Sequence, residues 1–367
     1  MSEKKKITIT ILCGGAGKRL WPASRPEKPK QFTHILEGLT LFQRAVSRNR
    51  KFADQYIIVT NHAHMELARA QFFEVAGSDA KATFILEPIG RNTAPAVALA
   101  ALETSSSISP DELMLIAPAD HEVANEEAYH QAVERACLAA SVGGLATFGI
   151  NPDHPETGYG YIEAGSWFKG LSCIDEGILE VRAFHEKPSL DKAIEYLAAG
   201  NFFWNSGIFV FKASTILEEL ECHASTLINA CWAAHAAAEV KMIHESRLLA
   251  IHADDMMLIP SVSLDYAVME KSKRVAVVPV SMGWNDLGSF DAVHEVMRRD
   301  QSGNALPETA IALDCSNCLV LTPDLKVRIS GINDLVVVQD GDRLLIVKRG
   351  QTQSVKSLAE ADHAAKN

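Results

Sequence analysis

Four short apolar runs, set apart by helical stretches and loops, constrain this 367-residue chain more than any other feature. The first, Ile7-Thr8-Ile9-Thr10-Ile11-Leu12, is β-branched and ends at Gly14-Gly15, so it reads as a strand entering a glycine loop. Gln55 to Thr60, Ala82 to Leu86 and Glu112 to Ala117 read as three more strands. All are apolar almost throughout rather than alternating, as expected of strands covered on both faces of a parallel sheet. Leu41 to Arg50 and Ala63 to Val75 carry helical spacing, and Ala94 to Glu103 is alanine-rich, with Asn92-Thr93 as its cap and Pro95 in its first turn. This alternation implies a doubly wound α/β sheet that takes ligands outside the carboxyl ends of its strands.

The middle of the chain is less regular. Gly158 to Ile162 and Gly207 to Phe211 read as strands, Ser189 to Leu197 as a helix ended by Gly200, and the residues after Ser289 as a helix reaching about Arg299. Beyond Asp300 the runs shorten to Cys318–Leu321, Leu335–Val338 and Leu344–Val347, broken by Asn, Asp and Gly turns. A large α/β domain over 1–299 and a small β-rich module over 300–367 are therefore expected. The hydrophobic fraction of 47% supplies ample core. A net charge of −11 argues against a nucleic-acid partner, yet leaves room for a basic loop that binds a small anion. Of the seven cysteines only Cys315-x-x-Cys318 has metal or redox spacing, and no second pair completes a zinc site. Ile7 to Cys13 is too short for a signal peptide or a membrane span, so the expected location is the cytoplasm.

The segment after the first strand, Gly14-Gly15-Ala16-Gly17-Lys18-Arg19, has the makings of a phosphate cradle. Glycines let backbone N–H groups approach phosphate oxygens, and Lys18 and Arg19 add fixed charge. It is neither familiar glycine loop: a Walker loop would need Gly and Ser or Thr where Leu12 and Arg19 stand, and a dinucleotide fingerprint would need a third Gly at Leu20. Pro22 and Pro29 stiffen the continuation, which brings Lys30 back near the loop. Asp120 follows the fourth strand, where such sheets place ligand-binding groups, and Asp286 precedes a helix, where an N-cap or an Asx turn is the plainer explanation. Taken singly, each acid is as well explained structurally. Together they could hold Mg²⁺, which takes one or two carboxylates plus substrate phosphates. Glu186-Lys187 and Asn205 offer groups suited to sugar hydroxyls and a sugar phosphate. His62-x-His64 lacks a third ligand, and no nucleophile elbow is present.

In fixed order the chain carries Gly14-Gly15-Ala16-Gly17-Lys18-Arg19-Leu20-Trp21-Pro22, Pro29-Lys30-Gln31-Phe32, Glu87-Pro88-Ile89-Gly90-Arg91-Asn92-Thr93-Ala94-Pro95 and Pro118-Ala119-Asp120-His121. His154 to Ile162, Glu186-Lys187-Pro188, Trp204-Asn205-Ser206-Gly207, Asp265 to Glu270 and Gly283 to Gly288 complete the series. From Leu12 to about Val347 the chain resembles the mannose-1-phosphate guanylyltransferases among the sugar-nucleotide pyrophosphorylases. The resemblance implies a Rossmann-like nucleotidyltransferase domain with a mixed central sheet and a small β-helix-like C-terminal module. It implies GTP and mannose 1-phosphate as substrates, Mg²⁺ held by Asp120 and Asp286, Arg19 on the departing pyrophosphate and Lys30 on the nucleotide phosphates. Lys187 would orient the sugar phosphate. Glu186, Asn205 and Gly158 would face the sugar, Asp265 would join the substrate-binding set, and Glu87, Arg91, Asn92 and Thr93 would border the guanine. Departures from the usual pattern at Cys13, Ala16, Lys18, His185, Asn285 and Phe290 stand beside these residues, not at them. The longer members carry a C-terminal isomerase domain, and none is expected in these 367 residues. A homodimer is compatible with the sequence. A related transferase of another sugar, and a subunit that only binds, remain the alternatives.

Overall fold

In the computed structural model the described residues are 7–15, 17–169, 177–323, 325–351 and 354–364. They divide into two compact units, one formed by 1–14, 45–119 and 123–284, the other by 15–44, 120–122 and 285–367.

The first unit is built on one sheet. Its strands are β1 (Ile7–Leu12), β2 (Ala53–Asn61), β3 (Ala82–Glu87), β4 (Leu113–Pro118), β5 (Leu145–Ile150), β6 (Gly160–Trp167), β7 (Leu179–Glu186), β8 (Phe202–Lys212), β9 (Glu239–Ile243), β10 (Ser246–Ala250) and β11 (Val275–Val280). They lie in the order β9-β10-β3-β2-β1-β4-β8-β5-β11-β7-β6. The block β10-β3-β2-β1-β4 is parallel, whereas β8 runs antiparallel to both β4 and β5, which makes the sheet mixed. Ile7, Ile9 and Ile11 are fully buried, and so are Thr8 and Thr10 between them. Both faces of β1 are covered, which is why its sequence shows no alternation.

Because β1 feeds β2 and β3 on one side and β4 lies on the other, the strand order reverses between β1 and β4. That is the switch point where open α/β sheets take ligands. The Ala119 N–H donates to the Leu12 carbonyl at 3.0 Å, so the two strand ends leave the sheet side by side. The segments continuing from those ends, 15–44 and 120–122, belong to the second unit.

Helix α1 (Thr93–Ser107) is buried from Ala94 to Thr104 because its alanines let neighbouring elements approach closely. Asn92 caps it, its side chain accepting from Thr93 N, and Pro95 falls in the first turn. On this helix Glu103, 1% exposed, accepts from Arg247 Nε at 2.8 Å and from Ser107 Oγ at 2.8 Å, and pairs with His235 Nε2 at 3.1 Å. The group joins α1, β10 and the helix Ser225–Ala237.

The second unit has its own core of Leu20, Ile35, Leu36, Leu41, Leu287, Phe290 and Val293, together with residues from beyond position 300. Its strands are β12 (Ile311–Leu313), β13 (Leu319–Leu321), β14 (Arg328–Ser330), β15 (Leu335–Asp340) and β16 (Arg343–Lys348). β12 pairs in parallel with β14, Ile311 opposite Arg328, and β13 with β15, Leu319 opposite Val336, the stacking expected of a β-helix. A closing helix, Val355–Ala364, packs on the turn Lys18–Leu20. This helix is additional to the strands expected beyond Asp300. No disulfide joins any of the six described cysteines, and Cys173 lies outside the described residues.

Burial alone would raise the Glu103 carboxyl, but its bonds to His235, Ser107 and Arg247 hold it down at about 2. A depressed pKa stabilises the fold above the unfolded value and loses that contribution as pH falls through the folded value. Stability from this group should therefore be complete above about pH 4.5 and fade toward pH 2. Glu103→Ala should cost about 3 kcal/mol at neutral pH, read by denaturant unfolding, because it leaves Arg247 and His235 without their partner.

Candidate active site

The charged cluster of the second unit centres on Lys30. Pro29, extended at φ −60°, ψ 157°, leads into the 3₁₀ turn Lys30–Phe32, and the Thr33 hydroxyl donates back to the Lys30 carbonyl at 2.8 Å. Lys30 is only 5% exposed. Its ammonium reaches Asp120 Oδ2 at 2.8 Å and donates to the Asp286 carbonyl oxygen at 2.6 Å. A buried ammonium is tolerable only with such partners. Burial alone would raise the Asp120 carboxyl, but Lys30 and then His121, 3.7 Å away, bring it below the usual range.

One glycine of the loop lies against this lysine. Gly15 and Gly17 take φ +87° and +56°. A Cβ on Gly14 or Gly15 would meet nothing within 4 Å, whereas one on Gly17 would lie 2.7 Å from both Lys30 Cβ and Ser24 Oγ. Gly17 is therefore required for close approach as well as for backbone conformation. Arg19 is exposed on the turn Lys18–Leu20; Ala16 and the Lys18 side chain lie outside the described residues.

Asp286 forms the Asx turn, its Oδ1 accepting from Gly288 N at 2.9 Å. The helix cap is Ser289, whose hydroxyl accepts from Ala292 N at 3.3 Å. With Ser289 as the cap, the Asp286 carboxylate lies with Arg19 Nη2 around Gly288, where a Cβ would meet them at 2.8 and 3.2 Å. Asp120 and Asp286 suit magnesium: both donors are carboxylate oxygens, and both residues are tied to one lysine. No group of three or more His, Cys, Asp or Glu among the described residues could hold a metal ion alone. Such a donor pair matches an ion that draws its remaining ligands from phosphate and water.

A second group belongs to the first unit. Asn205 Nδ2 donates to Asp265 Oδ1 at 2.8 Å, and Glu186 Oε1 pairs with Lys187 Nζ at 2.9 Å. Gly160 lies opposite Glu186 across the β6–β7 pair, and a Cβ there would stand 2.7 Å from Glu186 Oε2. Burial, with Glu186 nearby, raises the Asp265 carboxyl despite the Asn205 bond. The Gly158 N–H donates to Glu156 Oε1 at 2.6 Å. The reading of single residues missed the aromatic wall beside these groups, where Tyr159 meets Trp204 and Trp284 edge-on at 5.4 and 5.1 Å. His154, the first residue of the His154–Ile162 motif, lies 2.6 Å from Asp153 and 3.5 Å from Glu156, which raise its pKa against the effect of burial.

At the end of β3, Glu87 is 8% exposed, and its Oε1 has no hydrogen-bond partner among the described residues. Burial pushes its carboxyl up to about 7. Arg91 turns its guanidinium to the carbonyls of Met256, at 3.1 Å, and Met257. Thr93 Oγ1 accepts from Leu264 N at 2.9 Å, which ties the start of α1 to the segment carrying Asp265. In this structure Arg91, Asn92 and Thr93 are thus engaged in holding the local fold.

The chain is similar to several known proteins. The nucleotidyl transferase family model matches residues 9–303, and the mannose-phosphate isomerase/GMP-like β-helix domain model matches 308–361. The mannose-1-phosphate guanylyltransferase of Escherichia coli is 38% identical over 359 residues, 97% of this chain and 73% of that one. The alginate biosynthesis protein AlgA of Pseudomonas aeruginosa is 40% identical over 351 residues, 95% of this chain and 71% of that one. A crystal structure from Thermus thermophilus, described as a mannose-1-phosphate geranyltransferase, superposes with a TM-score of 0.82 at 30% identity, covering 98% of this chain and 100% of that one.

Gly17→Ala should push Lys30 away from Asp120 and lower both thermal stability and turnover. The left-handed backbone alone costs about 1–2 kcal/mol with a Cβ, and the two 2.7 Å contacts add to it. Gly14→Ala, with nothing within 4 Å of the new carbon, should melt close to the parent.

Proposed function

The chain belongs to the nucleotidyl transferase family, among the mannose-1-phosphate guanylyltransferases, and on that premise we propose that it forms GDP-mannose and pyrophosphate from GTP and mannose 1-phosphate. The observation that carries this reading is the Lys30 ammonium joining Asp120 to the Asp286 turn, with Arg19 at the same turn. These are the groups a triphosphate requires.

A phosphate oxygen of mannose 1-phosphate attacks the α-phosphorus of GTP in line. The bond from that phosphorus to the β-phosphate bridging oxygen breaks, and pyrophosphate leaves with the electron pair. No side chain forms a covalent bond, so the enzyme contributes alignment and fixed charge. Arg19 neutralises the departing pyrophosphate, and Lys30, held by its two partners, meets the nucleotide phosphates with little reorganisation. Asp120 and Asp286 would hold Mg²⁺, which supplies positive charge to the phosphate oxygens. In the first unit Lys187 orients the sugar phosphate, while Glu186, Asn205 and Asp265 hydrogen-bond sugar hydroxyls. Backbone N–H groups of Gly14, Gly15 and Gly17, with Lys18, cradle phosphate. Glu87 accepts from the nucleobase, and Arg91, Asn92 and Thr93 support that pocket. The proposed location is the cytoplasm; no helix among the described residues is long and apolar enough to cross a membrane. A homodimer fits the family reading.

Incubation of GTP and mannose 1-phosphate with Mg²⁺ should yield GDP-mannose by chromatography, faster than ATP, UTP, dTTP or glucose 1-phosphate react in parallel arms. Product from another pair would move the base or sugar assignment, and none from folded protein would overturn the enzyme reading. Asp286→Asn should lower turnover about a hundredfold. Lys187→Ala should weaken mannose 1-phosphate more than GTP, and equal losses would remove its role.

A further inference from the structure

Leu287 stands at φ +48°, in the left-handed region that side chains bearing a Cβ avoid. It is also fully buried. The strain falls inside the charged cluster: Asp286 precedes Leu287 and Gly288 follows it. Two short bonds close the turn, with Asn285 Oδ1 accepting from Leu287 N at 2.8 Å and Asp286 Oδ1 accepting from Gly288 N at 2.9 Å.

A turn needing only positive φ would be served by glycine or asparagine. Here the position also needs an anchor. The Leu287 side chain enters the core that holds Leu20, the neighbour of Arg19, and Leu319, Val336, Leu345 and Val355 from beyond residue 300. Such a conformation persists only where its surroundings over-determine it. The apolar floor does so, because letting φ relax would pull the leucine out of that core.

We propose that Leu287 is a positioning residue: gripped by an apolar floor to which the C-terminal module contributes, it fixes the 285–288 turn so that the Asp286 carbonyl meets the Lys30 ammonium and the Asp286 carboxylate stays beside Arg19. This rests on the function proposed above, and it gives the module a part in setting the geometry of the reaction. The leucine acts through Asp286 and touches no substrate.

The test compares Leu287→Met, which keeps the volume, with Leu287→Ala and Leu287→Gly, the last satisfying the backbone but removing the anchor. For folded Ala and Gly variants kcat should fall about tenfold or more, the scale of a small misplacement, with KM for mannose 1-phosphate little changed. Mn²⁺ affinity in the presence of GTP, read by electron paramagnetic resonance, should weaken alongside, and amide exchange at 285–288 should quicken. Leu287→Met should restore all three. An Ala or Gly variant with kcat, Mn²⁺ affinity and amide exchange like the parent would overturn the proposal. So would a Gly variant that performs better than Ala in all three, since strain rather than anchoring would then decide. Should the Leu287 variants not fold, Val355→Ala in the same core takes their place, and an unchanged kcat there overturns the module's part. If the parent makes no GDP-mannose, the reading of function fails by itself, while the Mn²⁺ and amide-exchange arms still decide the role of Leu287.

Discussion

A buried ammonium is the constraint around which the second unit is organised. Lys30 is almost fully withdrawn from water, so it has to be met by charge and by lone pairs, and the chain provides one of each in Asp120 and the Asp286 carbonyl. Other features follow from that demand. Pro29 sets the approach, Thr33 pins the turn behind it, and Gly17 carries no side chain because the lysine stem occupies the space. An interaction assembled from three distant stretches of sequence is rigid before any substrate arrives. Charge stabilisation is worth most in that condition.

Carboxylates across the protein show how pairing, more than burial, sets their behaviour. Burial raises all of them in principle. Asp120 and Glu103 nevertheless end below the ordinary range because cations and hydrogen-bond donors face them. Glu87 and Asp265 end above it, the former with an oxygen lacking any partner among the described residues and the latter with Glu186 for a neighbour. The first two face cations supplied by the protein itself. The second pair keeps hydrogen-bonding capacity for a ligand, as residues proposed to meet a base and a sugar should.

The region after residue 300 is more than a cap on the chain's end. Its β15 and β16 strands and final helix share one apolar core with Leu20 and Leu287, residues adjacent to Arg19 and Asp286. The division of the second unit follows the same logic, since 15–44 and 120–122 cluster with 285–367 in space though they are distant in sequence.

Local sequence determined a good deal. The unalternating strands, the alanine-rich helix with its Asn92 cap, the glycine ending the helix at 200 and the short strands beyond 300 were all legible, because each depends on propensity, periodicity or a turn residue acting over a few positions. So were the residue types suited to phosphate and sugar, and the ordered motifs made the family resemblance plain. Sequence could not say that Asp286 would form an Asx turn while Ser289 takes the cap, that Arg91 would turn to the carbonyls of Met256 and Met257, or that β8 would enter the sheet antiparallel. It held no hint that a leucine would sit at positive φ or that Gly17 would lie against the stem of Lys30. Those outcomes were decided by tertiary structure alone, because they depend on which groups meet across long stretches of chain, where local preference has no say and burial and hydrogen-bond satisfaction choose the partner.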